Sequence, residues 1–332
     1  NLDIKRVEAN RNFANKIWNA GRFVIGCLGQ VNEKTTKEPE WTMADGWIWA
    51  RLQGLVRDVE RLFQNHQYGE AGRQLYEFFW NEFADWYLEI AKNQMATTGD
   101  QAYYTASTLT RVLDLSLRML HPFIPFITEE LWGHLRRAVL DSPLAGEAAD
   151  WPEALIIASW PVPRTEEAWE AQRINDFTLV QELVRAVRNL RAEKNVPPSR
   201  LLPAIVSGGE RSDLLLDQMT TLASLASLDL DKLVICETLE QKPDGHVALV
   251  VGAVEIYLPL SGLVDVNEER IRLQKTLGEV DGQITRLEKL LASPFAEKAP
   301  TEVVQKEREK LAGYRETADK LITQLQGLEL SS

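Results

Sequence analysis

Cysteine is almost missing from this chain: Cys27 and Cys236 are the two among 332 residues. They lie far apart in apolar settings, which excludes a disulfide framework and fits a reducing compartment. An excess of positive charge is missing too. Lys and Arg number 37 against 49 Asp and Glu, a net charge of −12. The chain is therefore no generally basic coat for nucleic acid, and any such contact must come from local basic arcs on an acidic body. No run is long or apolar enough to span a membrane and no signal peptide is present, so a cytoplasmic location is expected. There is no glycine-rich phosphate loop, no metal-ligand spacing and no nucleophile paired with a base. The histidines His66, His121, His134 and His246 are scattered, and His121, just before Pro122, reads as part of an elbow. A self-contained small-molecule enzyme is not expected. The chain starts at Asn1 without an initiator Met and reads as a piece of something longer.

What is present is mostly helix. The length suggests about two domains with ample core. Residues 8–25 (EANRNFANKIWNAGRFVI), set about 100° apart, put Phe13, Ile17, Ala20 and Val24 on one apolar stripe. Arg11, Asn12, Asn15, Lys16, Asn19, Arg22 and Phe23 fill an opposite arc of roughly 140°. Phe23 thus sits among cations and amides. A flat ring so flanked offers an unstacked base a face and its edge partners; the alternative is a surface ring packed on a neighbouring helix. The stretch after Asp45 is amphipathic, Gly69 to Gly72 punctuates a turn, and residues 75–92 pack Tyr76, Phe79, Trp80, Phe83, Trp86 and Tyr87 into a stripe expected in the core. A helix over 102–120 stops at Pro122 and Pro125, which predict an extended elbow. Thr128 is the expected N-cap of the next helix, with Glu129 and Glu130 in its first turn.

Residues 141–165 read as a connector, followed by a long helix from Glu166 to Lys194. Arg185, Arg188 and Arg191 recur every three residues near its end, with Lys194 and Arg200 beyond. They read either as a solvated face favoured by the negative helix terminus or as a ridge tracking phosphates. From 203 to 260 four strand-like segments appear, with one helix over about 210–226 between the first two and a hairpin turn at Gly252. The tail is heptad-periodic: Leu273, Leu277, Val280, Ile284, Leu287 and Leu291, then SPFAEKAP, then Val304, Leu311, Tyr314, Ala318, Leu321, Leu325 and Leu328. This predicts an antiparallel coiled-coil hairpin with arms of roughly 38 Å at 1.5 Å per residue. The fold class is mainly α: an antiparallel helical bundle (1–200), a small α/β insert (201–262) and the C-terminal hairpin (263–332).

The motifs RNFANKIWNAGRF (11–23), LYEFFWNEFADWYLEIAK (75–92), HPFIPFITEELW (121–132), RAEKNVPPSR (191–200) and VEIYLPLSGLVD (254–265), leading into SPFAEKAP (293–300), together resemble the C-terminal half of bacterial-type valyl-tRNA synthetases. The proline elbow is shared with leucyl and isoleucyl relatives; the hairpin motif is more specific. The resemblance implies a bundle that binds the anticodon stem-loop and an arm that braces the outer corner of valine tRNA. It places Asn12, Lys16, Asn19, Arg22 and Phe23 at the anticodon, with Phe23 stacking on a base. Arg185, Arg188, Arg191 and Lys194 become backbone contacts, and Arg270, Arg272, Lys275, Arg286 and Lys289 the contacts of the arm. Residues 265–332 hold 11 basic and 13 acidic side chains, which favours a brace by shape over an electrostatic clamp. The family's HIGH-like and KMSKS-like signatures are missing from this sequence, as is its editing domain. ATP and Mg²⁺ are therefore expected in an N-terminal catalytic domain joined in cis, and no cofactor in this chain, which reads as a monomer. A protein-interaction scaffold dimerising through the coiled coil is the competing expectation.

Overall fold

A computed structural model describes residues 4–35, 41–97, 99–259, 266–292 and 301–329, with backbone alone at 6, 266–273, 301–303 and 323–329. Helix α1 runs Ile4–Leu28 and α2 Met43–Gln64. Tyr68–Glu77 (α3) continues without a break into a π-helical segment, Phe78–Tyr87, and then α4, Leu88–Met95. Asp100–Leu120 is α5, Pro125–Leu140 is α6 and Ala168–Glu193 is α7. The expected stripe on α1 is buried at Ile17, Ala20 and Val24, and it extends to Cys27 and Leu28. Gly21 lets α1 come close to α6: a Cβ there would lie 2.5 Å from the Leu131 side chain. Thr42 starts α2 with a capping box, accepting from the Asp45 amide at 3.2 Å while the Asp45 carboxylate accepts from the Thr42 amide at 3.0 Å.

The elbow departs from expectation in two ways. His121 keeps helical angles (φ −55, ψ −42) although Pro122 follows it, and Ile124, before Pro125, lies outside both the helical and the extended regions (φ −139, ψ 62). Pro125 opens α6 as its first helical residue, so Thr128 lies inside the first turn and is no N-cap. The Thr128 hydroxyl bonds back to the carbonyls of Ile124 (3.0 Å) and Pro125 (3.1 Å) and meets His121 Nδ1 at 2.9 Å. The Glu129 carboxylate leaves the helix axis altogether. It accepts from the amides of Leu155 (2.8 Å) and Ile156 (3.0 Å) and so fastens the connector after α6.

Strands β1 (Leu202–Ser207), β2 (Leu228–Cys236), β3 (His246–Val251) and β4 (Val254–Pro259) form one sheet in the order β2-β1-β4-β3. Strands β1 and β2 are parallel and the other pairs antiparallel. Gly252, at φ 58, supplies the left-handed residue of the two-residue β3–β4 turn. The expected single helix over 210–226 is two, α8 (Ser212–Asp217) and α9 (Met219–Ala226), stepped at Gln218. The buried apolar residues of the sheet unit and of the bundle form one continuous cluster. Helices α10 (Val266–Leu291) and α11 (Thr301–Glu329) pack on each other as the expected hairpin. Leu287, Val304 and Ala318 are buried in their seam, and Arg315 donates across it to Glu288 at 2.7 Å. The SPFAEKAP turn and the side chains of Leu273, Leu325 and Leu328 fall outside the described residues.

Candidate nucleic-acid interface

Helix α1 presents Asn12, Asn19 and Arg22 exposed, as its sequence predicts. Phe23 is half-buried, with part of its ring packed against the core, so the stacking and packing readings share one side chain. Lys16 does not point freely outward. Its ammonium bonds the Asp85 carboxylate at 2.5 Å and lies 5.2 Å from the centroid of the Trp80 ring, inside cation–π range.

The helix beneath α1 explains this. Phe79, Phe83, Trp86 and Tyr87 are buried as expected and Phe78 is buried with them, but Tyr76 is 37% exposed and Trp80 is half-buried. Both leave the core for an outer cluster with Phe13. Phe13 stacks with Trp80 at 6.2 Å, Tyr76 stacks with Trp80 at 5.6 Å, and Phe13 lies 4.6 Å from Tyr76. The end of the π segment is held from inside. The buried Tyr87 hydroxyl donates to Asp45 at 2.6 Å, and Trp86 packs edge-on against Phe177 of α7.

The arginine ridge on α7 divides. Arg185 and Arg188 are exposed and lay their guanidinium groups over Trp86 at 5.3 and 5.5 Å. Arg188 also donates to the Leu225 carbonyl at 2.8 Å. Burial lowers its pKa, and the carboxylates Glu89 and Asp85 pull it back up. Arg191 is turned inward and buried, donating to the carbonyls of Ser227 (3.0 Å), Pro197 (2.7 Å) and Arg200 (2.7 Å). It is a strut of the fold and not part of an exposed ridge, because its planar fork is taken up by three backbone carbonyls. Lys194 is exposed beyond it. The α1 arc and the outer part of α7 therefore flank the same π-helical segment, which spacing along the chain could not reveal. Trp80 and Asp85 are the residues that sequence reasoning missed. On the hairpin, Lys275, Arg286 and Lys289 are exposed, while the side chains of Arg270 and Arg272 lie outside the described residues.

Residues 45–206 match the family described as the anticodon-binding domain of tRNA ligase, and residues 265–329 match the valyl tRNA synthetase tRNA binding arm. Valine–tRNA ligase of Carboxydothermus hydrogenoformans is 38% identical over 315 residues, covering 94% of this chain and 34% of that protein. Over nearly its whole length the chain is similar to valine–tRNA ligases. The Thermotoga maritima enzyme is 36% identical over 332 residues (99% of this chain, 35% of that protein), and that of Geobacillus stearothermophilus 36% over 331 (98% and 36%). The chain thus spans about a third of the length of these valine–tRNA ligases. The α1 arc precedes the matched anticodon-binding range, yet the Thermotoga alignment runs through nearly the whole chain.

Proposed function

We propose that this chain is the tRNA-recognition part of a valine–tRNA ligase, acting on valine tRNA in the cytoplasm as a monomer. The observation that carries the reading is the ordered pair of matches, an anticodon-binding domain followed by a valyl-specific tRNA-binding arm. Residues 1–200 bind the anticodon stem-loop through Asn12, Lys16, Asn19, Arg22 and Phe23, with Arg185, Arg188 and Lys194 near the backbone. Residues 201–262 form the small α/β unit, and 263–332 brace the outer corner of the tRNA through Arg270, Arg272, Lys275, Arg286 and Lys289. The binding energy positions the acceptor end for chemistry performed elsewhere. That chemistry would use ATP and Mg²⁺, which this reading assigns to a catalytic domain joined in cis.

The test is a titration of this chain with valine tRNA, and with the same tRNA carrying a replaced central anticodon base, at one modest salt concentration. Weaker binding to the altered tRNA supports anticodon reading. Equal binding to both leaves recognition to the shape-reading hairpin and removes the role given to α1. Binding to neither, together with a mass that halves when the hairpin is deleted, establishes the dimeric scaffold instead.

A further inference from the structure

Arg185 and Arg188 stand three residues apart on α7, a spacing that brings Cβ atoms to about 5–6 Å. Like charges so placed repel and weaken a solvated helix. Elsewhere on this chain arginines at that spacing face carboxylates: Arg61 meets Asp58, and Arg73 meets Glu70. Here both guanidinium groups are instead laid over one ring, that of Trp86, at 5.3 and 5.5 Å from its centroid. Trp86 is itself buried and packs edge-on against Phe177. It is therefore no platform for a base but a fixed surface under two cations.

The carboxylates that act on Arg188 are already engaged. Glu89 is bonded to Lys92 at 2.6 Å and Asp85 to Lys16 at 2.5 Å. Arg188 gives its Nε–H to the Leu225 carbonyl at 2.8 Å, which fixes the plane of the group. Among the described residues, neither its two Nη groups nor any N–H of Arg185 has an acceptor, and both side chains are exposed. Two planar forks side by side suit an anion that offers an oxygen to each. A phosphodiester has two non-bridging oxygens on a tetrahedral centre, whereas a planar carboxylate presents both of its oxygens to a single fork. Arg191, next in the row, is turned into the fold, so the exposed pair ends at Arg188.

We propose that Arg185 and Arg188 clamp one phosphodiester of the RNA backbone between them, and that Trp86 is the positioning residue that holds both guanidinium groups in place. This rests on the RNA-recognition reading above and deepens it, turning two separate backbone contacts into one built site.

The experiment uses the full chain and RNA hairpins carrying the valine anticodon stem and loop, with one phosphate at a time replaced by an uncharged methylphosphonate. Arg185→Met and Arg188→Met should each weaken binding of the unmodified hairpin by about 10- to 150-fold, the effect of a hydrogen bond from a charged donor. Both losses should vanish on the same methylphosphonate hairpin and persist on the others. Arg185→Lys and Arg188→Lys keep the charge but not the flat group that lies on the indole, and should recover less than half of the loss. Trp86→Leu should lower affinity and lose that penalty at the same phosphate. It should also flatten the dependence of log affinity on log salt by about 0.7, although it removes no charge; Trp86→Phe, which keeps a ring, should restore the slope. Losses that vanish at two different phosphates overturn the clamp. Full recovery by both lysine variants overturns the role of Trp86, whether or not Trp86→Leu folds. If Phe23→Leu weakens binding and neither methionine variant does, this inference alone falls. If the wild-type chain ignores every hairpin, the RNA-recognition reading falls with it.

Discussion

Replacing Arg191 separates a phosphate contact from a strut more sharply than any other change. Its guanidinium is buried and gives three hydrogen bonds of 2.7–3.0 Å to the carbonyls of Pro197, Arg200 and Ser227. These tie the end of α7 to the turn after it and to Ser227, which sits in the left-handed region at φ 54 between α9 and β2. A hydrogen bond from a charged donor is worth about 1.5–3 kcal/mol, and a carbonyl left without a partner costs about 1–3 kcal/mol more. Water will reach some of the freed carbonyls, so Arg191→Met should cost about 3–5 kcal/mol rather than the sum. For a unit of this size each kcal/mol lowers the melting temperature by roughly 2–4 °C, which gives a fall of about 6–20 °C. Arg191→Lys keeps the charge but not the fork and should recover less than half. Thermal unfolding by circular dichroism measures both. A melting temperature unchanged within about 2 °C, with tRNA affinity reduced, would refute the reasoning and return Arg191 to the backbone-contact role.

Burial pushes the Asp114 carboxyl up to about 6 against the opposing pull of the Arg118 guanidinium, 2.8 Å away. The folded protein then binds this proton more tightly than the unfolded chain, so stability falls as pH rises from about 4 to about 6 and levels off above. The melting temperature of Asp114→Asn relative to wild type should climb across that window, and a flat difference would refute the assignment. Gly21→Ala should destabilise by about 1–3 kcal/mol through its clash with Leu131. Gly133→Ala, in the interior of α6 with open space around it, should stabilise by up to about 1 kcal/mol; urea midpoints compare the two. Glu129→Gln should free the 155–157 turn, read as faster amide exchange at Leu155 and Ile156, whereas protection equal to wild type would mean the carboxylate does not hold them.

The main elements were legible because their signals are local. The α1 stripe from Ile17 to Val24, the two paired helices of the hairpin and the Gly252 turn each follow from spacing alone, and each is found. What failed required knowledge of neighbours. Thr128 has the chemistry of an N-cap, but Pro125 had already begun the helix. Arg191 has the spacing of a ridge, but the αL turn at Ser227 and the Pro197 loop close over it. Tyr76 and Trp80 look like core because they are aromatic and lie four apart on one helix, but they face Phe13 of α1 at the edge of the bundle. Of the α1 site, exposed Asn12, Asn19 and Arg22 could be read from the sequence. The Asp85 partner of Lys16 could not, since 69 positions separate them.

The same ten residues that defeat the periodic reading reconcile two demands. On the inside, Phe79, Phe83 and Tyr87 must stay in the core, and Tyr87 must reach Asp45 at the start of α2. On the outside, Glu77, Asn81, Asp85, Glu89 and Asn93 are exposed, four residues apart throughout. The π segment between α3 and α4 widens the turn through its i→i+5 hydrogen bonds. Nothing in core packing asks for the widening, since an α-helix serves an aromatic stripe at i and i+4 equally well. The outer face does ask for it, because Lys16 can meet Trp80 and Asp85 together only if they share that face. A π turn costs hydrogen-bond quality and tends to persist where a function uses it. In a chain of net charge −12, that function is local. The α1 arc and the outer arginines of α7 meet along this segment, so a local basic arc can face a polyanion while the acidic body around it repels backbone that arrives elsewhere.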